Sequence, residues 1–132
     1  MKVVLDTNVL VSGIFYGGIP GKILDAWLEG RLTVFATPLI LEEYLRAIED
    51  LGSRDLSLST SWSEFLPGMC RVIAEEENYP PISRDPTDDK FLFCASQAGA
   101  QYLVSGDQDL RSLEKEFPFK IITPRAFHTL LK

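Results

Sequence analysis

Acidic residues recur in this 132-residue chain where strands should end and helices should begin. Asp6 closes the apolar run Val3-Val4-Leu5, and Asp107 and Asp109 follow Val104-Ser105. Glu42 and Glu43 fall in the early turns of the helix announced by Thr37-Pro38, and Asp88 and Asp89 fall at the start of another. Carboxylates brought to one place repel each other unless a hard cation meets them, and oxygen-only ligands suit Mg²⁺ or Mn²⁺. A site of that kind activates water and stabilises a leaving oxygen, which is phosphoryl chemistry. One histidine and two cysteines supply no zinc-type cluster to compete with it. Each acid also has a plainer explanation. Asp6 suits a turn at a strand end, and Glu42 or Glu43 suits a solvated helix face. Asp88 and Asp89 suit the positive end of a helix dipole, and Asp109 suits an N-cap.

The elements that must position these acids alternate. Val3 to Leu5 reads as a buried strand of a parallel sheet. Val9 to Phe15 is apolar and small, and Gly17-Gly18-Ile19-Pro20-Gly21 reads as a breaker. Lys22 to Leu28 reads as an amphipathic helix stopped by Gly30, and Leu32 to Ala36 as a second strand. Thr37 as N-cap with Pro38 at the first helical position starts a helix to about Leu51, which Gly52 closes. Ser61 and Glu64 have capping-box spacing for a further helical piece, which Pro67-Gly68 must break or kink. Glu75 to Pro81 reads as an exposed connector, with Glu75-Glu76-Glu77 a solvated run. The segment Asp85-Pro86-Thr87-Asp88-Asp89 opens a helix that Gly99 ends, with Asp85 cast as a turn residue. Gln101 to Ser105 is a strand, Leu110 to Glu116 a short helix and Phe119 to Ile122 a last strand. Thr123-Pro124 starts a C-terminal helix with the cap chemistry of Thr37-Pro38. This alternation predicts an α/β fold with helices on both faces of a parallel sheet and right-handed crossovers. Ligands of such sheets bind at the carboxyl ends of the strands, which is where Asp6 and Asp107 fall.

The chain length suits one domain, 1–132, and a hydrophobic fraction of 45% suits a packed core rather than disorder. No apolar run approaches the roughly 20 residues of a membrane span, so a soluble, cytoplasmic protein is expected. Cys94 sits in an apolar run and reads as a reduced core thiol. A net charge of −6 argues against a nucleic-acid binder, yet two divalent cations on four of the acids would leave about −2. Charge sign therefore does not decide the substrate. Arg46, Arg84, Lys90 and Arg111 are the basic residues nearest the predicted edge and are candidates for phosphate contacts. Trp27 and Trp62 suit core or interface anchors, and His128, near the end of the last helix, suits a dipole partner rather than a catalyst.

Three motifs in order make the reading specific. Asp6-Thr7-Asn8-Val9-Leu10-Val11-Ser12-Gly13 resembles the opening motif of PIN-domain nucleases. Arg84-Asp85-Pro86-Thr87-Asp88-Asp89-Lys90-Phe91-Leu92 resembles their third-acid motif, and Tyr102 to Leu110 resembles their fourth. The likeness spans nearly the whole chain and is nearest to the toxin branch of toxin–antitoxin systems (VapC-like). It is poor from Leu51 to Tyr79, where partner and substrate specificity would lie. Gln108 also stands where a basic residue is more usual.

The resemblance implies a three-layer α/β/α sandwich, commonly of five strands. It implies Asp6, Glu43, Asp88 and Asp107 as catalytic acids holding one or two Mg²⁺ or Mn²⁺ ions. Glu43 is taken over Glu42 because it directly precedes Tyr44-Leu45. Thr7, Asn8 and Ser105 would orient carboxylates or water, and Asp109 would be auxiliary. The implied activity is endonucleolytic hydrolysis of RNA to 5′-phosphate and 3′-hydroxyl ends, and the implied partners are an antitoxin protein and a second copy in a homodimer. A second class of function is a non-catalytic PIN-like module that docks RNA or an antitoxin. A receiver domain is a third, unsupported because such domains carry adjacent acids after the first strand, whereas Thr7 and Asn8 follow Asp6.

Overall fold

The computed structural model describes residues 1–75 and 88–132. A sheet of five parallel strands lies at its centre in the order β3-β2-β1-β4-β5. The strands are β1 (Lys2–Leu5), β2 (Thr33–Ala36), β3 (Arg71–Val72), β4 (Tyr102–Val104) and β5 (Lys120–Ile122). Helices α1 (Thr7–Phe15), α2 (Gly18–Leu28), α3 (Pro38–Leu51), α4 (Leu56–Met69), α5 (Asp89–Ala98), α6 (Gln108–Arg111) and α7 (Pro124–Leu131) flank it. The expected α/β/α sandwich is therefore present.

β1 is the middle strand because Val3, Val4 and Leu5 tolerate complete burial on both faces, and all three are fully enclosed. Val3 pairs with Val34 on one side and Tyr102 on the other, and Leu5 pairs with Val104. The strand order has a consequence that no single segment shows. From β1 the chain works outward through β2 and β3, then returns to β4 and β5 on the other side of β1. The direction of winding thus reverses between β1 and β4, and the crevice for a ligand opens at their carboxyl ends.

Several helix boundaries follow local chemistry. Thr37 accepts a hydrogen bond from the Ile40 N–H at 3.3 Å with Pro38 at the first helical position, and Thr123 accepts from Ala126 N–H at 3.1 Å. Gly99 ends α5 in the left-handed conformation, φ 65°. Gly52 follows α3 for a different reason: its φ is an ordinary −62°, but a Cβ there would lie 2.6 Å from Ser59 Oγ of α4.

Other boundaries depart from expectation. The segment Val9 to Phe15, given no element above, is helical in α1, and α2 begins at Gly18 inside the supposed breaker. α4 starts at Leu56, capped by Asp55 accepting from Leu58 N–H at 3.0 Å, and runs past both Ser61 and Pro67 to Met69. Pro67 stands in the last turn, so the helix continues for only two residues beyond it. β3 was not anticipated as a strand. The helix expected over Leu110 to Glu116 is split into α6 and a 3₁₀ turn at Glu114–Glu116. Glu75 is half-buried, and its Oε1 accepts from Leu39 N–H at 2.7 Å at the start of α3, on the exposed side of the fold. The rest of the expected connector, with Arg84 and Asp85, lies outside the described residues.

Cys70 and Cys94 are both free and buried, and burial pushes each thiol up to about 12. Trp27 is buried against Trp62 with ring centroids 6.1 Å apart, as expected of a core anchor.

Candidate active site

Asp6 stands where β1 meets α1, and its backbone serves both. Its N–H donates to Val104 O of β4 at 3.0 Å, and its carbonyl accepts from Val9 and Leu10 N–H at 3.0 and 3.3 Å. The side chain is not spent on capping α1. Instead Oδ2 accepts a 2.7 Å hydrogen bond from the Ser105 hydroxyl, which lies just beyond β4. Ser105 Oγ in turn accepts from Asp107 N–H at 3.0 Å. Asp6, Ser105 and Asp107 are thus tied together across the β1–β4 crevice.

Glu43 arrives from α3. Its Oε2 accepts from the Thr7 hydroxyl, and its Oε1 lies 2.7 Å from Lys90 Nζ. Tyr44, the next residue, is fully buried and donates its hydroxyl to the Leu5 carbonyl, directly before Asp6. One turn of α3 therefore holds both the first turn of α1 and the end of β1. Glu42 points away and pairs with Arg46 at 3.0 Å on the exposed face. Adjacent helical residues differ by about 100° in direction, so only one of the two acids can face the sheet edge.

The electrostatics agree with the geometry. Asp6 is held above the ordinary carboxylate range, first because burial penalises its charged form and further because Asp107 and Glu43 add negative charge nearby. The Ser105 hydrogen bond and the Thr7 backbone N–H work in the opposite direction. Burial also keeps the Tyr44 phenol protonated far into the basic range, so it stays a donor.

The remaining candidates are placed less uniformly. Asp88 is half-buried at the N-cap position of α5, without capping it through its side chain. Asp89 beside it is almost wholly enclosed, at 1% exposure. The sequence motif favours Asp88, yet Asp89 is the acid the fold buries, and burial was not legible in two adjacent identical residues. Asp107 caps α6, its Oδ1 accepting from Asp109 N–H at 2.8 Å. Asp109 and Asn8 are exposed. Among the candidate cations, Lys90 turns inward to Glu43, whereas Arg46 pairs with Glu42 on the exposed face. Arg111 Nε is buried without a hydrogen-bond partner.

The donor set is hard oxygen throughout, which fits Mg²⁺ or Mn²⁺ and not a soft metal. As the side chains stand, no three acids among the described residues are gathered closely enough to hold one ion. Glu43 has both oxygens engaged, by Thr7 and by Lys90.

An acid-lined crevice at the winding reversal of a parallel α/β/α sheet defines a class of ligand-binding domain. The sequence profile of the PIN domain matches residues 2–109, and the chain belongs to that family. The uncharacterized protein MJ1680 of Methanocaldococcus jannaschii is 33% identical over 144 aligned positions, which take in 96% of this chain and 89% of that protein. Two solved structures share the fold at 15% identity. VapBC2 from Rickettsia felis, bound to a DNA fragment from their promoter, gives a TM-score of 0.62 over 93% of this chain and 98% of that one. PAE2754 from Pyrobaculum aerophilum gives 0.63 over 99% and 89%. The expected PIN membership is thereby established. Among the described residues, no helix is long and apolar enough to cross a membrane.

Proposed function

We propose that this PIN-domain protein is a divalent-metal-dependent endoribonuclease and the toxin of a toxin–antitoxin pair. The observation that carries the reading is that Asp107 and Glu43, from two other elements, stand near enough to Asp6 to act on its charge, with Ser105 tying Asp6 to Asp107 at the β1–β4 crevice. Burial first, and then the charges of Asp107 and Glu43, raise the energy of the ionised Asp6, a cost that a purely structural turn residue has no reason to bear.

In this reading Asp6, Glu43, Asp107 and a third-motif acid hold one or two Mg²⁺ or Mn²⁺ ions. Asp88 is that acid by its motif, and the burial of Asp89 makes it the rival. A bound divalent cation supplies the positive charge that favours hydroxide over water and stabilises the leaving oxygen. The chain's own residues orient the parts. Ser105 fixes the Asp6 carboxylate, Thr7 fixes Glu43, and Tyr44 anchors the end of β1. Water adds to phosphorus as the P–O3′ bond breaks, leaving a 5′-phosphate and a 3′-hydroxyl.

The likeness to VapBC2 supports an antitoxin partner. A second copy is also proposed. Exposed Leu28 and Phe65 border an apolar groove of about 240 Å³ with Trp62 and Met69, a surface suited to burial between subunits.

The test is cleavage of end-labelled RNA by the wild type and by Asp6→Asn, with Mg²⁺, with Mn²⁺ and with a chelator. Metal-dependent cleavage confined to the wild type is expected. Equal cleavage by both proteins sinks the assignment.

A further inference from the structure

We infer that Lys90 competes with the divalent cation for Glu43, so that its ammonium sets how tightly this site takes metal. The inference rests on the metal-site reading above and concerns a residue which that reading leaves without a part.

The adjacent acids Glu42 and Glu43 of α3 each meet a base, and the two pairs differ in kind. Glu42 and Arg46 are 61% and 71% exposed, a surface pair one helical turn apart. In the other pair Lys90 reaches across from α5, its Nζ 2.7 Å from Glu43 Oε1, with only 12% of its side chain exposed against 37% for Glu43. An ammonium enclosed to that degree needs a counter-charge. The Phe91 ring, 5.3 Å from Nζ, lines the same place. A groove bounded by Leu39, Glu42, Glu43, Arg46 and Lys90 leads from it to solvent.

The other Glu43 oxygen is taken by the Thr7 hydroxyl, which can remain while a cation binds because it neutralises no charge. Oε1 is different. A lysine ammonium and a metal ion are both positive, and they cannot share one carboxylate oxygen at contact distance without strong repulsion. Lys90 therefore does two opposed things. It offsets the charge of Glu43, and it must leave Oε1 before that oxygen can join the metal donors. Loading with metal then returns the amine toward the groove.

The test is calorimetric titration of Mn²⁺ into the wild type, Lys90→Met, Lys90→Arg and Asp6→Asn at low salt. Lys90→Met should bind about three- to tenfold more tightly than the wild type, the range expected for removing one partly screened ion pair. Lys90→Arg should match the wild type, and Asp6→Asn should bind far more weakly. Equal or weaker binding by Lys90→Met, with Asp6→Asn still impaired, overturns the competition and leaves the metal site standing. No difference between the wild type and Asp6→Asn overturns the metal site and this inference with it. A second measurement needs no variant: acetylation of Lys90 by an amine-reactive reagent, followed by mass spectrometry. Mg²⁺ should speed it while exposed Lys22 and Lys115 react at unchanged rates; an unchanged Lys90 rate overturns the inference.

Discussion

The Ser105 hydroxyl donates to Asp6 Oδ2 at 2.7 Å while its oxygen accepts from Asp107 N–H at 3.0 Å, so one buried side chain ties the ends of β1 and β4 together. Ser105→Ala removes the orienting contact without changing any charge. Groups that orient metal-binding carboxylates are worth about 10–100-fold in metal affinity or activity, and a loss in that range is expected here. Steady-state cleavage against metal concentration measures it, with Ser105→Thr as the variant that should retain most of the activity.

Asp6→Asn should stabilise the metal-free protein while abolishing cleavage. Burial and two neighbouring carboxylates raise the Asp6 pKa. The stability Asp6 contributes when protonated is therefore full below the ordinary carboxylate range and is lost as pH rises through its folded value. At neutral pH with a chelator, Asp6→Asn should melt higher, by about 0.5–2 kcal/mol of stability. The gap should close as the pH falls below the ordinary carboxylate range, where the wild-type carboxyl is protonated too. A gap that stays constant across this window contradicts the account.

Glu43→Gln and Glu42→Gln should separate sharply although the residues are neighbours. Glu43 is bound by Thr7 and Lys90 at the crevice, and its loss should reduce cleavage to near background. Glu42 pairs only with exposed Arg46 in the contacts described, and its removal should alter stability by less than about 0.5 kcal/mol and leave cleavage intact. Parallel assays of the two variants decide this.

Tyr44→Phe deletes one oxygen from the core. The Leu5 carbonyl loses its phenolic donor in a fully buried setting, which should cost about 1–3 kcal/mol in chemical denaturation. Because that carbonyl belongs to the peptide bond leading into Asp6, cleavage should fall as well.

Much of this protein is legible from its sequence because the relevant signals are local. Val3-Val4-Leu5 identifies a doubly buried strand, and Thr37-Pro38 and Thr123-Pro124 carry their own cap acceptors and fixed φ. The elements that escaped have weak local signals. α1 follows β1 without a polar stretch and buries five of its nine residues, so it lacks a clear amphipathic period. β3 is two residues long and is defined only by its pairing with Phe35 and Ala36. The cap of α4 is Asp55 and Ser61 lies within the helix; capping-box spacing recurs by chance in serine-rich stretches.

By itself the sequence determined which acids could act: it put Asp6 and Asp107 at strand ends and gave Glu42, Glu43, Asp88 and Asp89 as pairs. Residue type and strand-end position are properties of a single segment. Which member of each pair faces inward depends on how a helix is rotated against its neighbours, and only packing sets that rotation. Tertiary structure turned Glu43 toward Thr7 and Lys90, left Glu42 to Arg46, and buried Asp89 more deeply than Asp88. It also placed β4 beside β1 rather than beyond β3, and that strand order alone brings Ser105 and Asp107 to Asp6 across nearly a hundred residues of chain.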